Sequence, residues 1–380
     1  MEKRIVLTGG PGSGKTTVLN NIVKIFSNQG VKVIVVSETA TELINAGIKC
    51  FGDDNIDLID FQELVMRLQL SKENIYDMSV EMYKRQHPNQ DILIIYDRGT
   101  IDNKAYINES EFSEVLSRLN NAKSYFELLN KYDLVIDLVG AKEFYTLENN
   151  SARSENVDEA LSLGVTTLKS WIGHPKIKIV LPKEKIEERV QETVNYINEI
   201  MAKTQIKKQK KYLVDLNNSD LTYIMNNSRS VYIEQSYLMS SDDVEKRIRK
   251  MKIGDNVSYE LTVYKKMDNG DRILESSKNI SLKMYNELLE FIKPGTKTIN
   301  KIRRYFNHNG QYMYLDIFYD DMCNQENVGY LEINVSDEKL IDIPAYLSII
   351  DDVSLDDGFS NINKAVIDKN LVTKKKDYQF

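Results

Sequence analysis

Eight consecutive residues, Gly9-Gly10-Pro11-Gly12-Ser13-Gly14-Lys15-Thr16, fit the spacing G-x-x-x-x-G-K-[ST] without a gap. Each residue type has a physical task. Glycines let backbone N–H groups close around a β-phosphate, and a helix starting just after them turns its positive end toward the same charge. Lys15 brings a cation to the β- and γ-phosphates, and the Thr16 hydroxyl can ligate Mg²⁺, with Thr17 next on the first helical turn. The apolar run 5–7 precedes the loop, and Leu19, Ile22, Val23 and Phe26 follow it at helical spacing. Strand, loop and helix in that order are the setting this motif requires. The segment is expected to bind a nucleoside triphosphate, ATP or GTP, together with Mg²⁺.

Two further positions could share that chemistry. Asp97 ends the apolar run 92–96 and is followed by Arg98 and Gly99. A carboxylate at the end of a central parallel strand can hold Mg²⁺ directly or through water, or simply cap the next element. Arg98 suits a phosphate or a surface acid equally in kind. Glu38 ends a second run, in Val35-Val36-Ser37-Glu38-Thr39-Ala40. There it can act as a general base or hold a substrate hydroxyl, and it also suits the first turn of a helix.

The elements that must position these residues are legible in outline. Runs 5–7, 31–36, 92–96, 134–138 and 177–181 are continuous and rich in β-branched residues, as parallel strands buried on both faces should be. Amphipathic stretches separate them, which predicts a doubly wound α/β domain. Ile186, Val190, Val194, Ile197 and Met201 form its last helical stripe, with Pro182 expected at the helix start. From about residue 203 the period becomes two. Val231, Ile233, Gln235 and Tyr237 form one stripe, and Tyr312, Tyr314, Asp316 and Phe318 another. Asp268-Asn269-Gly270 and His308-Asn309-Gly310 read as hairpin turns. Residues 1–202 are thus expected to form the α/β domain, and residues 203–380 a mostly antiparallel β domain with a helix near 282–292.

The chain has 380 residues, 50 basic and 57 acidic, for a formal charge of -7. That balance argues against a general nucleic-acid coat protein. Cys50 and Cys323 are its two cysteines, and neither a disulfide framework nor a structural zinc is expected. No apolar run has the length of a membrane span, and a cytoplasmic location is expected.

Beyond the phosphate loop, three segments carry a more specific likeness: Asp97-Arg98-Gly99-Thr100-Ile101-Asp102, the stretch 144–155 (FYTLENNSARSE), and Trp171-Ile172-Gly173-His174-Pro175. With these the chain resembles the family of the TRPL translocation defect protein, in which an AAA-type, kinase-like P-loop domain is joined to a CYTH-like domain. The resemblance implies ATP or GTP as ligand, a lid over the phosphates, and a phosphorylated ligand in the second domain. It also implies, more distantly, an anionic phospholipid such as a phosphoinositide as partner. Arg153 sits in the stretch that would form the lid, where an arginine would neutralise charge during phosphoryl transfer; the bland reading pairs it with Glu155.

CYTH domains are antiparallel tunnel barrels that hold triphosphates through basic residues and metal through glutamates. Their early E-x-E-x-K has a counterpart in Lys207-Lys208-Gln209-Lys210-Lys211, where Lys211 is kept and both acids are missing. Arg247 and Arg249 match the family's alternating arginines, and Lys301 with Arg303 its later basic pair. Glu332 keeps one late acid, Asn334 replaces the other, and Tyr264 stands where lysine is usual. Spacing by two puts 247 with 249, and 301 with 303, on common faces. The expectation is a basic pocket for a polyphosphate or other phosphorylated ligand, without metal-dependent triphosphatase activity. For the whole chain, two rivals stand beside an NTPase coupled to such a pocket. One is a small-molecule, nucleoside-like kinase; the other is a non-catalytic ATP or GTP switch that binds phosphoinositides.

Overall fold

Runs of β-branched residues with no polar break become strands covered on both sides. The computed structural model describes residues 1–52, 55–119, 124–142, 156–202, 209–267, 272–319, 325–334 and 341–366. The chain divides into two compact units, Met1–Ala202 and Lys203–Phe380.

In the first unit the order is β1 (Glu2–Thr8), α1 (Lys15–Asn28), β2 (Lys32–Val36), α2 (Thr39–Asn45), α3 (Leu58–Gln86) and β3 (Ile92–Asp97). A 3-10 turn, Thr100–Ala105, precedes α4 (Glu109–Arg118), α5 (Tyr125–Leu129) and β4 (Leu134–Leu138). Then come α6 (Val157–Trp171), β5 (Ile177–Val180) and α7 (Ile186–Met201). All strand pairs are parallel, in the order β2-β3-β1-β4-β5. Ile5, Leu7, Leu93, Ile95, Ile136 and Leu138 meet Ile22 and Phe26 of α1 and Val190, Val194 and Ile197 of α7 in one core. Burying each such side chain is worth about 1.5–3 kcal/mol, which fixes α1, and with it the loop before it, against the sheet. Trp171 is fully buried and packs edge-on to Tyr132, so it anchors the core. Pro182 lies in the connection between β5 and α7, outside the first helical turn where the sequence reading put it.

The second unit comprises β6 (Gln209–Asp215), α8 (Thr222–Asn227), β7 (Arg229–Leu238), β8 (Val244–Ile253), β9 (Asn256–Lys266) and β10 (Arg272–Ile280). It continues with α9 (Leu282–Leu289), β11 (Ile299–His308), β12 (Gln311–Tyr319), β13 (Gln325–Asn334), β14 (Ser348–Asp352) and α10 (Asn361–Ala365). One antiparallel ladder runs β10-β9-β8-β7-β11-β12-β13-β6-β14. Asn309 and Gly310 both have positive φ, 46° and 80°, the conformation a two-residue hairpin turn demands. Alternation splits the sheet into two unlike faces. Phe306, Met313, Leu315, Leu331 and Ile333 bury one of them with Ile224 of α8. Further along that face Ile248 and Leu238 pack on Tyr285 of α9. The opposite face carries Arg247, Arg249, Lys301, Arg303, Asp316 and Glu332. Among the described residues no helix is long and apolar enough to cross a membrane.

Candidate phosphate site and polar sheet face

The loop between β1 and α1 adopts the conformations its glycines permit. Gly9, Gly12 and Gly14 have φ of 133°, 71° and 85°, which side-chain-bearing residues rarely adopt. At Gly10 a Cβ would lie 2.7 Å from the Ala160 carbonyl oxygen, so glycine is also what lets α6 approach the loop. Lys15 is buried; its Nζ donates to the carbonyls of Gly9 at 2.8 Å and Gly10 at 2.9 Å. Burial, and then the neighbouring Arg98, lower its pKa to about 8, partly offset by Glu38 and Asp97. Arg189 of α7 braces the loop: one guanidinium nitrogen donates to Ser13 O and another to Val139 O, each at 2.9 Å. No sequence signal marked Arg189.

Ends of adjacent parallel strands bring the acids to the same place. Glu38 follows β2 and Asp97 ends β3, and these strands are neighbours. Arg98 has φ 68°, strained for a residue with a side chain. Its Nε donates to Glu38 Oε1 at 2.5 Å, and its Nη1 lies 3.7 Å from Asp102 Oδ1. Gln69 of α3 holds the Arg98 carbonyl at 3.2 Å. Burial alone would raise the Glu38 pKa, yet Arg98 and Lys15 keep it below the ordinary carboxylate value. Asp97 goes the other way: burial, and then the charge of Glu38, push it up to about 6. Its Oδ1 is buried without a hydrogen-bond partner. Asp102 accepts from the Thr8 hydroxyl and from Gly99 N, an arrangement that holds the 3-10 turn after β3.

Lys15, Thr16, Thr17, Glu38, Asp97 and Arg98 all border one cavity of about 650 Å³, with Pro11, Gly12, Ser13 and Gly14 on its rim. Of the sequence-singled residues, Arg153 lies outside the described residues, as do Lys207, Lys208 and the turn 268–270. Sequence reasoning missed Asp137, a buried β4 carboxyl whose Oδ1 has no hydrogen-bond partner. Burial and the nearby Asp102 raise its pKa to about 7. His174 clamps a turn: its ring nitrogens lie 2.8 Å from Lys176 O and 3.0 Å from Tyr132 O, and burial lowers its pKa to about 4.

In the second unit, cross-strand register puts Lys211, Arg247, Arg249, Lys301, Arg303 and Glu332 on one face of the sheet. They are not the freely available basic wall that spacing suggested. Lys301 Nζ reaches Asp316 at 2.7 Å, and Arg303 grips the same carboxylate with two bonds of 2.7 Å. Burial, more than Arg303, lowers the Lys301 pKa to about 7. Arg249 pairs with Glu260 at 2.5 Å, and Lys211 with Glu332 at 3.1 Å. Gln209 and Tyr314 also donate to Glu332, so the retained acid is fully engaged. Arg247 has no carboxylate partner among the described residues. One of its terminal nitrogens donates to the Tyr264 hydroxyl at 2.9 Å, over that residue's ring, and its Nε is buried without a partner. Among the described residues no cluster of three or more His, Cys, Asp or Glu could hold a metal ion.

Comparison with known proteins adds the following. An uncharacterized protein, ycf45, of Porphyra purpurea is 23% identical over 247 residues, 62% of this chain and 40% of that protein. The chain thus spans well under half of that relative. The inorganic triphosphatase NE1496 is 18% identical, with a TM-score of 0.30, covering 43% of this chain and 95% of its own. Thymidylate kinase of Ehrlichia chaffeensis is 13% identical, with a TM-score of 0.33, covering 52% of this chain and 98% of its own. Residues 4–189, most of the first unit, match the family described as AAA domain.

Proposed function

We propose that the first unit transfers the γ-phosphoryl group of ATP or GTP, with Mg²⁺, to the hydroxyl of a small acceptor. The observation that carries this reading is the single cavity that joins the phosphate loop to the Glu38–Arg98 pair and then runs on along α3. A simple hydrolase has no use for that extension. Thr16 and the unpartnered, buried Asp97 offer oxygen donors of the kind a hard cation takes. When bound, Mg²⁺ would neutralise charge on the transferring phosphoryl group. Lys15 would move from the loop carbonyls to the phosphates, and ionised Glu38 would accept the hydrogen bond, and then the proton, of the attacking hydroxyl. Arg98 would orient Glu38 and face the developing charge.

Hydrolysis alone, with Glu38 orienting water, is the second reading, and membership in the TRPL-like family belongs to the same proposal. For the second unit we propose that the polar face, at Arg247 above all, binds a phosphorylated anion; an anionic lipid headgroup is one source of that chemistry. The net charge of -7 supports a protein that does not coat nucleic acid, and a cytoplasmic location is part of the same reading. A coupled assay of nucleoside diphosphate release, with and without candidate alcohols, tests the first unit. Release that no acceptor accelerates would favour hydrolysis, and no nucleotide binding by calorimetry would remove both readings.

A further inference from the structure

Gln62 stands on α3 at the wall of the first unit's cavity and is only 4% exposed. Its side-chain amide has no hydrogen-bond partner among the described residues. Neither of its polar atoms is sealed from solvent, so the amide opens on the cavity, where a ligand can take up the donor and acceptor that no described protein group uses. Gln69, two helical turns further on, lines the same cavity but is already committed to Arg98 O and to Glu73. The contrast singles out Gln62. Around it the wall is apolar and partly aromatic, with Phe61, Val65, Leu58 and Ile44.

Charge narrows the ligand further. The cations bordering this cavity, among the described residues, are Lys15 and Arg98, both at the phosphate end, and Glu38 already holds Arg98. An acceptor that brought its own phosphate would set a dianion beside the Glu38 carboxylate, with no further cation among the described residues to balance it. A neutral acceptor with an alcohol meets no such penalty. A carboxamide presents a donor and an acceptor side by side, the complement of a nucleobase edge such as adenine N6 and N7.

We infer that the apolar end of this cavity takes the base of an uncharged nucleoside, read by the Gln62 amide, with a sugar hydroxyl presented to Glu38. The inference rests on the phosphotransferase reading above. In the reaction the hydroxyl oxygen bonds to the γ-phosphorus as the bond from that phosphorus to the β–γ bridging oxygen breaks. The products are a nucleoside monophosphate and a nucleoside diphosphate, and the hydroxyl proton passes to Glu38.

The test uses the full chain, ATP and Mg²⁺, a panel of the common ribo- and deoxyribonucleosides, and their 5′-monophosphates. At least one nucleoside should accelerate ADP release, and its monophosphate should not. Gln62→Leu should raise the KM for that nucleoside by about 10- to 100-fold, with ATP affinity by calorimetry and melting temperature preserved. Gln62→Glu, which keeps the size and loses the donor, should change which nucleoside is preferred, and it serves if the leucine variant does not fold. Normal ATP binding with no response to any nucleoside overturns the inference alone. So does an unchanged KM in both variants, or equal use of a monophosphate. Absent binding of both ATP and GTP to the wild type overturns the phosphotransferase reading, and the inference with it; where GTP alone binds, the same panel is run with GTP.

Discussion

Arg98 Nε lies 2.5 Å from Glu38 Oε1, a bond that ties the end of β3 to the end of β2 directly beside the phosphate loop. The strained backbone of Arg98 aims its guanidinium there, and Gln69 holds the carbonyl that makes the turn. A surface pair would be worth little. This one is largely buried, and it keeps Glu38 ionised and oriented. Glu38→Gln keeps the shape and removes the charge that accepts a proton. Turnover should fall by about 10²–10⁴-fold, with nucleotide affinity little changed. Equal turnover in the variant, measured by coupled diphosphate release, would reduce Glu38 to a partner for Arg98.

Asp97 should shape the pH profile. Its folded pKa is raised to about 6, so the protonated fraction grows as pH falls through that value. A protonated carboxyl is a poor ligand for a hard cation, so Mg²⁺-dependent turnover should decline below about pH 6. Asp97→Asn should lower turnover on the order of 10²-fold and abolish that acid limb. An acid limb that survives the substitution would belong to another group.

Lys15→Ala removes a buried ammonium that bonds to the Gly9 and Gly10 carbonyls and the Ser13 hydroxyl, all within the loop. Nucleotide binding should be lost while the circular dichroism spectrum and the thermal transition stay close to wild type. Wild-type affinity by calorimetry would contradict the assignment of the phosphate site.

Much of the first unit was legible because its strands are unbroken apolar runs and its loop is a contiguous motif. Such signals need only local sequence. Arg189, Gln62 and Asp137 were not legible, because their importance comes from what α7, α3 and β4 bring beside them. In the second unit, spacing by two correctly put Arg247 with Arg249 and Lys301 with Arg303 on one face. It could not reveal that Asp316 stands opposite Arg303, since cross-strand register is a long-range property. The pairing changes the meaning of those cations from available to committed.

Asp137 should make stability depend on pH in a definite direction. Its folded pKa, about 7, stands above the ordinary aspartate value of 3.8. The group therefore favours the folded state fully below about pH 4, and that contribution is lost as pH rises through about 7. Replacing it by a neutral amide removes the cost of ionising it inside. Asp137→Asn should raise the melting temperature at pH 8, with a stabilisation on the order of 2–4 kcal/mol at most, and change it little at about pH 3.5. A variant equally destabilised at both values would mean that the carboxyl makes a compensating contact when charged.

The polar face of the second unit yields the last prediction, because its cations differ in how they are held. Lys301 and Arg303 share the buried Asp316, and breaking such a unit leaves an uncompensated charge inside. Asp316→Asn should therefore lower stability by about 3–5 kcal/mol. Among the described residues Arg247 contacts no carboxylate, so of the cations on this face its charge is the most available to an anion. In the full chain carrying Lys15→Ala, which silences the first unit, tripolyphosphate should still bind in a chelator and more weakly as salt rises. A further Arg247→Ala should weaken that binding by about 1.5–3 kcal/mol, the range for a hydrogen bond to a charged group, without changing the melting temperature as Asp316→Asn does. Hydrolysis should be absent, because Lys211, Gln209 and Tyr314 already occupy Glu332, the acid a metal would need. Phosphate release with Mg²⁺ or Mn²⁺ that disappears in Glu332→Gln would show that this carboxylate exchanges its partners for metal, and that the second unit is itself an enzyme.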